Sequence, residues 1–257
     1  MSRIQKAFSR PSHKALIAYV TVGYPSVEAT LDVVPLLAAS GCDLVELGIP
    51  FSDPLADGVT IQKSSFQALQ NGVTPAVCLD IAGQLTRKVE VPLVFMTYYN
   101  PILRYGHERF CYDCAQARVD GLIIPDLPPD ESQELETLTQ KNGRDLIYIL
   151  APTSTHERIR LVAGRSRGFM YLTTVAGVTG VRDELPPGLG DFAARVRSAT
   201  RLPLCVGFGI SNARQAGQVA RIADGVIVGS RIVNLMGEGS TAGLQSFIRE
   251  LRSALDQ

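Results

Sequence analysis

The sequence predicts an α/β protein, a single (β/α)8 TIM barrel. Eight short apolar runs rich in β-branched residues alternate with helical stretches along the 257 residues. Near-continuous apolar strands separated by helices are typical of a parallel sheet covered on both faces, and eight such units favour a closed barrel over an open sheet. Because one barrel of this class commonly has this length, we expect residues 1–257 to form one domain.

Hydrophobic patterning predicts the elements in order. A short amphipathic helix at about 2–9 opens the chain and is expected to close the bottom of the barrel. Three stretches, ASGCDLVELG, ARVDGLII and ARIADGVIVG, each end a helix, pass an aspartate and enter a strand, as repeated αβ units do. The predicted strands are 15–21, 43–49, 92–98, 121–127, 145–151, 168–174, 203–209 and 225–230.

Two of the loops that follow strands are predicted to be long. One follows the second strand and contains PFSDPLADG. The other follows the sixth strand and spans roughly 174–190, well beyond the usual connection of about 2–6 residues. Since barrels of this class place their active sites at the carboxyl ends of the strands, we expect these loops to be functional.

Composition argues against several classes of function. The formal net charge is zero, the pI is about 6.8 and no basic tract occurs, so nucleic acid and anionic membranes are not expected partners. No apolar run approaches the roughly 20 residues that span a bilayer. Five scattered cysteines without an export signal indicate reduced thiols in a cytoplasm, and we interpret the Cys111-x-x-Cys114 pair inside a helix as structural.

Glu46 is the most informative residue of the second predicted strand. Alternation along the strand puts it on one face with Leu44 and Gly48, which we expect to be the barrel interior because the helix-facing side is apolar. A desolvated carboxyl has a raised pKa, which suits proton transfer. The alternative is a buried ion pair, for which only Arg182 and Arg231 lie near strand ends.

Asp57 lies in the loop after this strand, where it can face a ligand while partly solvated. Two carboxyl groups in different environments can hold different protonation states, which is the basis of acid/base catalysis by a pair. The alternative is an aspartate that organises its own turn. The three histidines fall outside the strand ends, which argues against histidine acid/base chemistry and against a histidine-rich metal site.

Glycines follow three successive strands near the end of the chain. They occur in GVTG at 177–180, in GFGIS at 207–211 and in Gly229-Ser230. Loops in this part of a barrel often hold phosphate through backbone N–H groups and a helix N-terminus, although any single glycine can simply mark a turn. The residues alone therefore indicate a barrel enzyme that acts on a small organic phosphate, with aldol-type cleavage and isomerisation both open.

The motifs VELGIPFSDPLADG, MTYYNPI, DLPPDE, AGVTG, GFGIS and VGS, in this order, resemble the tryptophan synthase alpha chain family. The resemblance covers essentially the whole chain, and the ELGIPFSDPLADG block is its most specific part. It implies a (β/α)8 barrel that cleaves indole-3-glycerol phosphate to indole and glyceraldehyde 3-phosphate in a retro-aldol reaction. Neutral Glu46 would protonate the indole ring, Asp57 would stabilise the ring N–H, and Tyr171 would orient Glu46.

The resemblance also implies a binding site and a partner. It places the substrate phosphate and indole ring against Gly180, Phe208, Gly209, Gly229, Ser230 and Tyr19. It places a β chain, in an α2β2 heterotetramer, against Asp53, Pro54, Asn100 and Pro128. Pyridoxal phosphate is expected only in that partner, and this chain is expected to need no cofactor or metal. Val59, where the family usually has proline, and TTVAG after the sixth strand depart from the pattern and are expected to affect loop closure.

Three other functions remain open to the sequence. A stand-alone lyase releasing free indole would use the same residues. A different phosphate-binding barrel enzyme, such as an isomerase, is disfavoured by the ELGIPFSDPLADG block. A non-catalytic, phosphate-binding regulatory subunit is disfavoured because Glu46, Asp57 and Tyr171 are all present.

Overall fold

The computed structural model describes residues 1–174, 187–207 and 209–257. In this part of the chain nine parallel strands form one sheet, in the order β5-β4-β3-β2-β1-β9-β8-β7-β6. The strands are β1 Ala15–Thr21, β2 Leu44–Gly48, β3 Leu93–Met96, β4 Gly121–Ile123, β5 Asp145–Ile147, β6 Ile149–Leu150, β7 Met170–Thr173, β8 Leu204–Gly207 and β9 Gly225–Val228.

The predicted (β/α)8 barrel is confirmed, with one difference in the fifth strand. The predicted segment 145–151 is divided at Tyr148 into β5, which pairs with β4, and β6, which pairs with β7. The two ends of the sheet are therefore consecutive in the chain. The backbone carbonyl of Tyr148 accepts the N–H of Tyr171 at 3.2 Å, so the break also joins the two ends.

Twelve α-helices surround the strands in the described residues. They are α1 Arg3–Ala7, α2 Val27–Ala39, α3 Val59–Gln70, α4 Pro75–Leu85, α5 Tyr99–Tyr105, α6 His107–Gln116, α7 Gln133–Lys141, α8 His156–Arg165, α9 Leu189–Arg197, α10 Ala213–Ala220, α11 Ser230–Gly237 and α12 Thr241–Leu255. A 3-10 helix at Pro129–Glu131 precedes α7. Several helices begin at a residue whose side chain accepts the N–H three positions on, as at Ser26, Thr74, Thr155 and Asn212.

The helix–Asp–strand repeats have a shared structural role. Asp43, Asp120 and Asp224 each precede a strand, and each carboxylate accepts a backbone N–H at the start of the neighbouring strand, at 2.9, 3.0 and 2.8 Å respectively. A buried N–H at a strand start needs such a partner, because it would otherwise lose its hydrogen bond to water. The repeated aspartates thus align the strand starts.

Helix α1 closes the bottom of the barrel, as predicted. Ile4 is fully buried among the side chains of the barrel interior. A Cβ added at Gly121 or Gly168 would lie 3.0 Å from an Ile4 carbon, so both glycines leave room for it. The helix is held in place by Ser2 Oγ, which donates to Asp145 at 2.6 Å, and by an Arg3–Asp120 ion pair at 2.9 Å.

The core has two parts that follow from strand alternation. The larger lies between the sheet and the helices, and the smaller fills the barrel interior. The interior includes Ile17, Leu44, Val94, Met96, Ile123, Ile147, Phe169, Tyr171, Cys205 and Ile227. All five cysteines are buried and free, and burial raises the pKa of Cys111 to about 12, which leaves it a neutral core residue. No helix in the described ranges is long and apolar enough to cross a membrane.

Candidate active site

A cavity opens at the carboxyl ends of the strands. Its lining residues come from five strands, β1, β2, β3, β7 and β9, from the loop before α3 and α3 itself, and from the segments that follow β8 and β9. They include Tyr19, Glu46, Asp57, Ile61, Met96, Tyr171, Gly209, Ile210, Ile227, Gly229, Ser230 and Arg231. The barrel therefore brings together most of the predicted catalytic and substrate-binding residues, while Gly180 and Phe208 lie outside the described residues.

Glu46 lies inside the barrel, on the face that alternation predicted. It is 0% exposed, and neither carboxyl oxygen has a hydrogen-bond partner in the described residues. Burial raises the pKa of Glu46 to about 8, because the charged form would lose its hydration. At neutral pH the side chain is therefore a carboxylic acid with a proton to give. Among the described residues no ion pair to Glu46 is present, and Arg182, one of the two arginines near strand ends, lies outside them.

Asp57 lies in the loop that connects β2 to α3. Tyr98, just beyond β3, donates a hydrogen bond to Asp57 Oδ2 at 3.1 Å, and the backbone N–H of Ala56 donates to the Tyr98 hydroxyl at 2.9 Å. Burial raises the pKa of Asp57 to about 6, and the hydrogen bond from Tyr98 partly opposes that rise. Sequence reasoning had not assigned Tyr98 a role, since its only signal was a position at a strand end.

The two carboxyl groups hold different protonation states at neutral pH. Between about pH 6 and pH 8, Asp57 is ionised while Glu46 keeps its proton. The same cavity thus contains an acid and an anion, which is the arrangement that acid/base chemistry on one small substrate requires.

Two tyrosine hydroxyls occupy spaces left by glycines on neighbouring strands. A Cβ at Gly207 would lie 2.5 Å from the Tyr171 hydroxyl, and a Cβ at Gly48 would lie 2.1 Å from the Tyr19 hydroxyl. Both distances are far below a normal contact, so any side chain at either glycine would displace a tyrosine. Sequence reasoning named both tyrosines but missed this requirement for Gly48 and Gly207.

The glycine-rich end of the cavity has backbone features that favour an anion. Gly209 has φ +91°, a conformation that favours glycine, and Gly229 precedes helix α11, whose N-terminus begins at Ser230. Unpaired N–H groups and the helix dipole favour negative charge there. Arg231 also lines the cavity, and its guanidinium lies 3.5 Å from Glu238.

The predicted partner-contact residues follow three neighbouring strands: Asp53 and Pro54 lie in the loop after β2, Asn100 lies in α5 after β3, and Pro128 follows β4. Asp53 and Asn100 are exposed, and Pro54 and Pro128 are half-buried. Leu55, in the same loop as Asp53, is 88% exposed, which is unusual for a large apolar side chain. The loops share one end of the barrel with the cavity.

We expect Glu46→Gln to stabilise the fold increasingly as pH rises. In the unfolded chain Glu46 ionises near pH 4.5, but in the fold it ionises near pH 8, so between these values only the unfolded state loses the proton and wild-type stability falls. The stability difference between variant and wild type should grow across this window by up to about 5 kcal/mol and then level off. Urea unfolding at pH 5, 7 and 9 measures it.

The matched control is Glu250→Gln, which makes the same substitution on the exposed surface of α12. A pH-independent difference for Glu46→Gln would show that Glu46 is not held neutral by burial.

Comparisons with known proteins give one family description over essentially the whole chain. The family model described as "Tryptophan synthase alpha chain" matches residues 6–255. A Dehalococcoides mccartyi protein described as "Tryptophan synthase alpha chain" is 57% identical over 257 residues, covering 100% of both chains. A Chloroflexus aggregans protein of the same description is 47% identical, covering 100% of this chain and 99% of the other.

Solved structures show the same likeness. A chain in the structure of Mycobacterium tuberculosis tryptophan synthase in space group F222 superposes with a TM-score of 0.94 at 37% identity, covering 100% of this chain and 99% of that one. Tryptophan synthase subunit alpha from Legionella pneumophila strain Paris superposes with a TM-score of 0.90 at 34% identity, with coverage of 100% and 99%.

Proposed function

Because this chain belongs to the tryptophan synthase alpha chain family, we propose that Glu46, Asp57 and Tyr171 perform the lyase reaction of that family in the cavity described above. As the alpha subunit in tryptophan biosynthesis, the chain cleaves indole-3-glycerol phosphate to indole and glyceraldehyde 3-phosphate. The observation that supports the residue roles best is the pairing of a neutral Glu46 with an ionised Asp57 in one cavity.

The proposed reaction uses Glu46 twice. Its proton first moves to C3 of the indole ring, which makes the ring a good leaving group, and the positive charge that appears at the ring N–H is stabilised by Asp57. The Glu46 carboxylate then takes the proton of the glyceryl hydroxyl next to the ring. As that proton leaves, the O–H electrons form the aldehyde C=O, the C–C bond breaks, and its electrons restore the aromatic ring. Tyr171 orients Glu46 from β7.

The substrate phosphate is proposed to lie at the N-terminus of α11. Gly209 and Gly229 let the backbone approach the anion, Ser230 adds a hydroxyl donor, and Gly180 is expected to contribute from its loop. Phe208 and Tyr19 are proposed to line the space for the indole ring.

The proposed partner is a tryptophan synthase β chain, in an α2β2 heterotetramer. Asp53, Pro54, Asn100 and Pro128 form the proposed contact, together with the exposed Leu55. Pyridoxal phosphate is proposed to reside in that partner, and this chain is proposed to act without a cofactor or metal, in the cytoplasm. Three or more potential metal ligands do not cluster anywhere within the described ranges.

Cleavage of indole-3-glycerol phosphate by the purified chain, with and without a cognate β chain, tests the proposal. We expect weak release of indole and glyceraldehyde 3-phosphate by the chain alone and a strong rise when the β chain is added, because docking beside the Asp57 loop would favour its closed form. The β chain alone is the control.

The other outcomes discriminate between functions. Strong activity that the β chain does not change would favour a stand-alone lyase. The absence of cleavage in both mixtures would refute the proposed reaction and return attention to an isomerase or a regulatory subunit.

A further inference from the structure

A chain of hydroxyl groups joins the Tyr19 side chain in the cavity to helix α3. Tyr19 Oη lies 3.4 Å from Thr21 Oγ1, which in turn lies 2.7 Å from Ser64 Oγ. The Ser64 hydroxyl donates to the backbone carbonyl of Ile61 at 2.9 Å. Thr21 and Ser64 are each 1% exposed, so water does not compete for these contacts.

The Ile61 carbonyl, at one end of this series of hydroxyl groups, fixes the direction of every hydrogen bond in the series. Each hydroxyl carries one proton, and a backbone carbonyl can only accept, so the Ser64 proton is used on Ile61. Thr21 must then donate to Ser64, and Tyr19 must donate to Thr21. The Tyr19 hydroxyl therefore has no proton left for the cavity, and there it can only accept a hydrogen bond.

The Tyr19 hydroxyl lies beyond Glu46 along β2, on the side of the loop that carries Asp57. It occupies the space above Gly48, two residues beyond Glu46 on the same face of β2, toward the loop that carries Asp57. Burial raises the pKa of Tyr19, and the charge of Asp57 raises it more than Glu46 does, as expected for a hydroxyl on the Asp57 side.

We propose that Tyr19 is a specificity-determining residue of this site, whose hydroxyl accepts a hydrogen bond from the ring N–H of the substrate. The proposal rests on the proposed function, in which that ring is an indole. The donor and acceptor of the Tyr19–Thr21 hydrogen bond cannot be reversed. Thr21 already donates its one proton to Ser64, so it would then have to donate twice.

Tyr19 and Asp57 then share the single ring N–H as two acceptors, and they make different contributions there. The neutral Tyr19 hydroxyl contributes about equally in the bound substrate and in the transition state, whereas the charged Asp57 contributes most when positive charge appears on the ring. Removing an interaction of the first kind raises KM and leaves kcat unchanged. Tyr19→Phe should therefore raise KM about threefold to tenfold, the range for loss of one neutral hydrogen bond, with kcat within about twofold of wild type.

A pair of non-cleavable probes tests whether the N–H is what Tyr19 recognises. The first is 3-(indol-3-yl)propyl phosphate, and the second is its benzothiophene counterpart, in which sulfur replaces the N–H. Binding of both to the full chain is measured by isothermal titration calorimetry. Tyr19→Phe should weaken binding of the indole probe about threefold to tenfold and change binding of the benzothiophene probe less than twofold.

Two further variants make the result specific. Thr21→Val keeps the shape of the side chain but frees the Tyr19 proton. It should weaken binding of the indole probe by a smaller factor than Tyr19→Phe does, and it should leave binding of the benzothiophene probe unchanged. Tyr24→Phe removes a tyrosine hydroxyl that contacts the Gly237 region outside the cavity, and should change neither affinity.

Equal weakening of both probes by Tyr19→Phe, or no weakening of the indole probe, would overturn the proposal. Either result leaves the proposed function intact provided that wild type binds the indole probe and cleaves indole-3-glycerol phosphate. A wild-type chain that does neither would instead refute the proposed function.

Discussion

Glu46→Gln should lower kcat for cleavage of indole-3-glycerol phosphate by at least about 10⁴-fold. One general acid/base step is commonly worth about 10²–10⁴-fold, and Glu46 is proposed to act in two proton transfers, to the ring and from the glyceryl hydroxyl. Glutamine has nearly the same shape but can neither give nor take a proton. Affinity for 3-(indol-3-yl)propyl phosphate should stay within about threefold of wild type, because the Glu46 carboxyl makes no hydrogen bond to the residues that the structure describes.

Single-turnover measurement of indole release, with the β chain present, gives the rate, and calorimetry gives the affinity. Glu250→Gln, on the exposed face of α12, is the matched control and should keep full activity. The pH profile adds an independent check, since wild-type kcat/KM should fall above about pH 8 as Glu46 loses its proton. A Glu46→Gln variant with a tenth of wild-type activity would rule out Glu46 as the acid/base group.

Local patterns in the sequence were enough to place Glu46. Strand periodicity is set by the backbone alone, so a carboxyl two residues from Leu44 and Gly48 had to share their face, and the apolar opposite face assigned that side to the barrel interior. The recurring aspartate before a strand is also visible in the sequence. Its hydrogen bond to the neighbouring strand is not, because the partner N–H is distant in the chain.

Contacts between distant segments were not predictable in the same way. The Tyr98–Asp57 hydrogen bond joins residues 41 positions apart and depends on the path of the loop after β2. The need for glycine at 48 and 207 arises from tyrosines on other strands. The break of the fifth strand at Tyr148 arises because its first half pairs with β4 and its second half pairs with β7. Each of these depends on tertiary packing, which a hydrophobic pattern does not encode.

The different surroundings of the two carboxyl groups explain why their pKa values differ. Glu46 is enclosed by the barrel wall with no donor among the described residues, whereas Asp57 lies on a loop and receives the Tyr98 hydrogen bond. The pKa of Glu46 is therefore set by burial within the barrel, and the pKa of Asp57 depends on the path of its loop. The proposed acid is therefore held by a strand, and the proposed anion is held by a loop.

Asp57→Asn should lower kcat about 10²–10³-fold, as removal of one pre-organised electrostatic partner of a transition state commonly does. Asparagine can still accept a hydrogen bond from the ring N–H, so KM should change little, but it carries no charge to balance the positive charge on the ring. Steady-state kinetics of the α–β mixture measure both constants, and the exposed Asp80→Asn on α4 is the matched control.

The acid limb of the pH profile identifies Asp57 more specifically than the rate does. Wild-type kcat/KM should fall below about pH 6 as Asp57 gains a proton, and in Asp57→Asn this limb should disappear while the limb near pH 8 remains. Tyr98→Phe removes the donor that lowers the Asp57 pKa, so it should move the acid limb to higher pH without abolishing activity. An Asp57→Asn enzyme that keeps the acid limb would mean that another group must be ionised for the ring to leave.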